Sequence, residues 1–216
     1  MVKTRRSVEH AEDTRSAVLV AAEELFTDPG YAAASLDEVA DLARVTKGAV
    51  YHHFGSKPAL FRAVVERLFQ RLVDELSAGA EERHLHAGGD LWDAVCATYQ
   101  KRLDLVCESP AYQRIVDQDA MAVLGYEVLT RVAHSTVDAA LMPVLAEAVE
   151  NRLIEPLSPD VLAKFMGSLV SVAGREIAAA PDRRQALPEI GDALDAFLQG
   201  LRRQPSATSS RRRPDH

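Results

Sequence analysis

At 216 residues the chain has room for one or two packed domains, and its 47% hydrophobic and 26% charged residues are those of a globular protein. No run approaches the roughly eighteen uninterrupted apolar residues of a membrane span, and the charged stretch from Met1 to Ser16 lacks the apolar core of a secretory signal. Cys96 and Cys107 give neither a disulfide framework nor a metal-ligand spacing, so the sequence implies a cytoplasmic protein with no cofactor, and its net charge of −7 argues against indiscriminate adhesion to polyanions.

No segment sustains strand alternation, and helical periodicity recurs from end to end, so the fold class is all-α with about nine helices. Val18, Ala21, Ala22, Leu25 and Phe26 mark one face of a first helix, which Pro29-Gly30 breaks. Ser35-Leu36-Asp37-Glu38 reads as a capping box that opens a short helix through Ala43. Thr46 caps another that reaches Phe54, and Gly55-Ser56-Lys57-Pro58 ends it and starts the next. The fourth helix carries a stripe of Leu60, Phe61, Val64, Val65, Leu68, Phe69, Leu72, Val73 and Leu76. The polar stretch Ser77–Gly89, with three glycines, separates domain 1–78 from domain 79–203. Trp92, Val95, Cys96, Tyr99, Leu103 and Val106 define a fifth helix that ends near Ser109-Pro110. Further helices follow at about 111–123, 125–152, 159–180 and 186–201, and residues 204–216 form a disordered basic tail.

The charge is unevenly spread. Residues 1–68 carry 9 basic and 10 acidic side chains, and residues 69–201 carry 11 and 21. Between Asp41 and Glu66, however, there is no acid, while Arg44, Lys47, Lys57 and Arg62 stand beside His52 and His53. A local stripe of this kind is what meets phosphate, whatever the net charge.

Two short helices, Leu36–Ala43 and Lys47–Phe54, joined by a tight turn have the layout of a helix-turn-helix. At about 100° per residue, Val50 and Phe54 point to a core of Leu36, Val39, Ala40 and Val45. Gly48, Ala49 and His52 then face away, toward base edges, with Tyr51 and His53 on the flanks where phosphates would lie. Thr46 and Lys47 stand at the helix N-terminus, where free N–H groups attract phosphate. His52 and His53 are adjacent and diverge on a helix, so they do not make a metal pair.

The segments AAEELFTDPGY (21–31), ASLDEVADLARVTKGAVYHHF (34–54) and SKPALFRAV (56–64) resemble the TetR family of bacterial regulators. The resemblance spans about Thr14 to Leu68, a quarter of the chain, and its motifs are dense. It implies a three-helix DNA-binding domain joined by a long fourth helix to a divergent helical domain that binds ligand and dimerises. Position by position it implies phosphate contacts for Ser35, Thr46, Tyr51, His53 and Lys57, and base or groove contacts for Lys47, Gly48, Ala49 and His52. Two positions depart from the family pattern: Arg44 replaces a turn glycine and would add a phosphate contact, and Pro58 replaces an acid. Lys57, a cation at a helix start, is itself a small argument for a phosphate partner.

In the second half, Gly167, Ser171, Gly174 and Ala178 form a row of small residues suited to close helix approach. Ile190, Leu194, Phe197 and Leu201 lie on an apolar stripe of the last helix. These eight are the predicted dimer interface, on the two helices where the resemblance also implies the dimer bundle. A small-molecule site is predicted among Trp92, Tyr99, Tyr112, Met121, Tyr126, Phe165 and Met166, which supply aromatic and flexible apolar surface. His134 falls by angle with Glu127, Arg131 and Asp138 on a solvated face, while Asp117 and Asp119 read as solvated acids or as the lining for a cationic ligand.

The sequence therefore reads as a ligand-responsive repressor that binds a palindromic double-stranded operator as a homodimer, in the bacterial cytoplasm at the nucleoid. The alternative is a helical ligand-binding protein that acts through a protein partner without DNA. An enzyme is disfavoured, because no nucleophile–base set, phosphate loop or metal cluster appears.

Overall fold

The computed structural model describes residues 2–78 and 89–203, with side chains from His10 onward. The predicted tail and most of the predicted domain boundary lie outside the described residues. Nine helices make up the described chain: α1 (Val2–Leu25), α2 (Leu36–Leu42), α3 (Lys47–Phe54), α4 (Lys57–Ala78), α5 (Leu91–Glu108), α6 (Tyr112–Asp119 continued by Ala120–Leu124), α7 (Tyr126–Glu150), α8 (Pro159–Ala179) and α9 (Arg183–Gln199).

Helices α1 and α3 pack on α4, and α2 packs on α1 and α3, because each has a narrow apolar face. Val18, Leu19, Ala21 and Ala22 of α1, Leu36, Val39 and Ala40 of α2, and Val50 of α3 share one buried cluster with Leu60, Phe61 and Val64. After α1 the chain kinks, Asp28 turning extended, and brings three rings together: Phe26, Tyr31 and Phe61, with centroids 4.8 to 5.5 Å apart. Helix α4 then runs on into the second half, where its stripe down to Leu76 is buried.

The second half is a helical layer around Trp92, Tyr99, Leu103, Ile115, Leu145 and Met166, all sealed from solvent. Trp92 donates its indole N–H to the Leu198 carbonyl at 3.2 Å, tying α5 to α9. Arg202 reaches back to Asp90 and Asp93 at the start of α5, and the backbone of Arg203 bonds Leu153. Helix α7 is long and apolar enough to cross a membrane, with a mean hydropathy of 1.2, but here it packs against α4, α5 and α8 as a helix of this layer.

One segment corrects the angular reading. Within α7 the turn His134–Asp138 is wide, with i→i+5 bonding, and such a turn shifts the phase of everything after it. Ser135 and Thr136 hydroxyls both donate to the Val132 carbonyl, at 3.1 and 2.7 Å, competing for an acceptor of the regular ladder. Asp138, expected on a solvated face, is consequently only 5% exposed, and His134 is half-buried rather than solvated.

Candidate nucleic-acid interface and its regulatory half

The turn between α2 and α3 is built by two caps. The Ser35 hydroxyl accepts from the Glu38 N–H, and the Ser35 N–H donates to the Glu38 carboxylate at 2.7 Å, completing the predicted capping box, while the hydroxyl also donates to that carboxylate at 2.8 Å. Thr46 accepts from the Ala49 N–H at 3.2 Å. Between them Arg44 has a φ of +56°, the left-handed conformation that a glycine would occupy more cheaply, and its side chain is exposed.

These constraints fix what α3 presents. Val50 is sealed in the core, while Thr46, Lys47, Gly48, Tyr51 and His52 are open to solvent and Ala49 and His53 are half-buried. Phe54 is half-buried under the Arg15 guanidinium, 5.4 Å above its ring. The His53 ring stands between those of His52 and Phe54, at 5.5 and 6.3 Å.

Three of the predicted contact residues already have partners. The Ser35 hydroxyl proton is committed to Glu38. The Lys47 ammonium is held by both carboxylate oxygens of Asp37, at 2.7 and 2.9 Å, which keeps it firmly protonated. An exposed pair of this kind is weak and opens readily toward a phosphate. The Lys57 ammonium sits 4.3 Å above the Tyr31 ring, so a cation–π contact accounts for its place at a helix start and removes the argument for phosphate drawn from it.

The loop before α2 is docked on the second half. Gly30 has a φ of +108°, and a Cβ there would collide with the Arg114 guanidinium of α6. Next to it, the Tyr31 N–H donates to Asp119 Oδ2 at 3.2 Å, and Arg114 pairs with the same oxygen at 3.4 Å. The partners are more than eighty residues apart in sequence, with no local signal that could reveal them.

The predicted ligand residues divide. Trp92, Tyr99, Tyr112 and Met166 are buried, while Met121, Tyr126 and Phe165 are exposed. Trp92 is accounted for by its bond to Leu198. Tyr99 and Tyr112 instead flank Arg102, which is only 3% exposed. The guanidinium lies 5.9 Å from the Tyr99 centroid and acts on the Tyr112 hydroxyl, partly offsetting the effect of burial there. Burial pushes both phenols up to about 12. Sequence reasoning missed Arg102, although its place on the stripe three residues after Tyr99 was the available sign.

The predicted dimer row also divides. Gly167 is buried, and a Cβ there would stand 2.9 Å from Asp138 Oδ1. Gly174 is buried against Val106, and Leu194 is buried in the core of the chain. Ser171, Ala178, Ile190 and Leu201 are half-buried. Gly167 and Gly174 thus admit α5 and α7 within the chain. Phe197 is 66% exposed and Phe165 69%, with Val161 and Val172 exposed on the same helix as Phe165.

A three-helix unit that presents a solvent-open α3, carried on a helical layer by a shared α4, defines a helix-turn-helix regulatory architecture. The comparisons agree with it. Residues 18–64 match the family described as bacterial regulatory proteins, tetR family, and residues 92–201 match a tetracyclin repressor-like C-terminal domain. The chain belongs to the TetR family.

Among similar proteins, the HTH-type transcriptional activator FasR of Mycolicibacterium smegmatis is 32% identical over 151 residues, covering 69% of this chain and 61% of FasR. The match thus spans less than two thirds of that relative's length. The transposon Tn10 TetC protein of Escherichia coli is 25% identical over 73% of this chain and 77% of its own. The crystal structure of a TetR-family transcriptional regulator from Pectobacterium atrosepticum superposes with a TM-score of 0.73 at 29% identity, over 91% of this chain and 98% of that one.

Proposed function

We propose that the chain is a ligand-responsive repressor that binds a palindromic DNA operator as a homodimer in the bacterial cytoplasm. The observation that carries this reading is the state of α3: Val50 is sealed inward, while Thr46, Lys47, Gly48, Tyr51 and His52 form one open face at the start and middle of the helix. In this reading Lys47, Gly48, Ala49 and His52 meet the groove, Arg44, Thr46, Tyr51, His53 and Lys57 meet phosphates, and Ser35 serves first as a cap. Thr46 keeps a free hydroxyl proton for a phosphate, because its oxygen only accepts within the chain.

The exposed rings Phe165 and Phe197 on the adjacent helices α8 and α9 support dimerisation through that face, with Val161 and Val172 extending it. Reading a palindrome requires the two copies to hold their α3 helices about 34–36 Å apart, one turn of duplex. The docking of Gly30 and Tyr31 on α6 supports coupling, since α6 carries Tyr112 of the buried cluster as well as Arg114 and Asp119 of the dock. A ligand that moves α6 would thereby change the setting of α2 and α3.

The test is selection of bound sequences from a random duplex pool by the purified protein. Recovery of a two-fold symmetric site supports the reading. Enrichment of an asymmetric site, or of none, overturns it. Because FasR is named an activator, a reporter driven from the selected site fixes the sign: expression rises on deletion of the gene if the chain represses.

A further inference from the structure

The centre of the second half holds a buried cation, attracted by Asp138 but with most of its hydrogen-bonding capacity unspent. Arg102 is 3% exposed, and its Nε and Nη1 have no hydrogen-bond partner among the described residues. Tyr99, fully buried beside it, has a hydroxyl that is likewise unpartnered. Asp138, the nearby carboxylate, turns Oδ2 toward His134 Nδ1 at 3.6 Å, and His134 also reaches Asp160 at 3.1 Å. Buried donors are satisfied in folded proteins far more often than not, and a cationic donor left without an acceptor is the costliest exception.

Four helices converge on this point. Tyr99 and Arg102 come from α5, Tyr112 from α6, Asp138 from α7 and Gly167 from α8. Gly167 leaves the wall bare, since a Cβ there would stand 3.4 Å from Arg102 Nη1 as well as close to Asp138. Two guanidinium nitrogens and a phenol hydroxyl, all donors, converge between two tyrosines. That is the complement of a carboxylate with an apolar body.

We infer that Arg102 anchors the carboxylate of a small organic acid, with Tyr99 donating a second hydrogen bond and Tyr112 conveying its presence to α6. The assignment rests on the regulator reading only for its consequence, release of DNA. The body is aromatic or aliphatic, and the anchoring chemistry is the same for both.

The experiment uses the full chain and three probes at millimolar concentration: benzoate, octanoate and inorganic phosphate, with benzamide and octanamide as neutral controls. Thermal unfolding is followed for the native protein and for Arg102→Met and Arg102→Lys. At least one of the two organic acids raises Tm in the native protein, its amide does not, and Arg102→Met weakens the acid about tenfold or more. Arg102→Lys keeps part of the response, because it keeps the charge and loses the planar fork. The larger of the benzoate and octanoate responses identifies the body.

Failure of both organic acids to act on the native protein overturns the inference, as does an equal response to the amides. A response to phosphate alone overturns it in favour of an inorganic anion. Without added acid, Arg102→Met loses only the contact with Tyr112 and the attraction of Asp138, so Tm stays within a few degrees of the native value; a larger fall would assign Arg102 a structural pairing role and overturn the inference. Release from the selected operator is read separately. Loss of all operator binding would sink the regulator reading while the thermal shifts still decide the site.

Discussion

The two halves of the molecule hold their functional side chains in different ways. In the reading head the hydrogen-bonding partners are near in sequence: Ser35 with Glu38, Thr46 with Ala49 and Lys47 with Asp37, each within ten residues, while Lys57 over Tyr31 reaches farther. In the second half the ties are long: Trp92 to Leu198 spans 106 residues, Arg202 to Asp90 spans 112, and Gln100 to Gly191 spans 91. Locally specified geometry forms with its own helix and resists distant change. Geometry closed by long ties is cooperative, so a group inserted among α5, α6, α7 and α8 is felt wherever those helices lead. The difference suits a rigid reader on an adjustable base.

The sharpest way to break the comparison is to cut a long tie. Trp92→Ala removes a sealed ring and its bond to Leu198, and is expected to cost about 3–5 kcal/mol in urea unfolding. If the halves differ as argued, α5 and α9 exchange their amide hydrogens faster together while α2 and α3 keep their protection.

Next in size is a pH effect confined to the second half. Burial pushes the Asp117 carboxyl up to about 6, opposed by Arg175. A carboxyl raised on folding favours the protonated native state, so its contribution is most favourable below the ordinary carboxylate value and is lost as pH rises through about 6. Asp117→Asn is therefore expected to stabilise the protein by about 1–3 kcal/mol at pH 8 and to make little difference near pH 4. Urea midpoints at the two pH values check it; an equal effect at both would mean that the carboxyl is not the cause.

This contrast is also what decided how much could be read in advance. The caps at Ser35 and Thr46, the left-handed turn at Arg44 and the inward Val50 follow from rules that act within a turn or two, and the structure has each of them. Asp138 escapes angular counting, which assumes an unbroken step of about 100°, because the wide turn His134–Asp138 violates it. The dock of Tyr31 on Asp119 and the inward Gly167 depend on which helices meet, which no local pattern encodes. Exposure of Phe165 has the same origin, since which side of α8 is covered depends on which helices meet it.

A smaller effect tests the joint between the halves. Asp119→Ala removes the acceptor of the Tyr31 N–H and the partner of Arg114. Losing one such bond, about 1 kcal/mol, should speed exchange of the Tyr31 amide roughly fivefold. The core around Trp92 should be untouched, and operator release by a bound acid should weaken. Unchanged exchange at Tyr31 would remove the dock from any coupling route.

The smallest expected effect separates two roles for one residue. The family resemblance makes Ser35 a phosphate contact, yet its hydroxyl proton is given to Glu38 and its oxygen to the Glu38 N–H. If the cap is its main work, Ser35→Ala costs about 1 kcal/mol of stability, the usual value of an N-cap. Operator affinity well below Tm then changes by less than about threefold, since no phosphate hydrogen bond is lost. Thr46→Val should behave differently, because it removes a cap and also a hydroxyl whose proton is free. Its affinity loss should exceed that of Ser35→Ala, with a shallower salt dependence if the hydroxyl helps hold a nearby phosphate for the cations around it. Equal losses from the two substitutions would mean that Ser35 releases Glu38 on binding, and that the reading head rearranges more than its short-range bonding suggests.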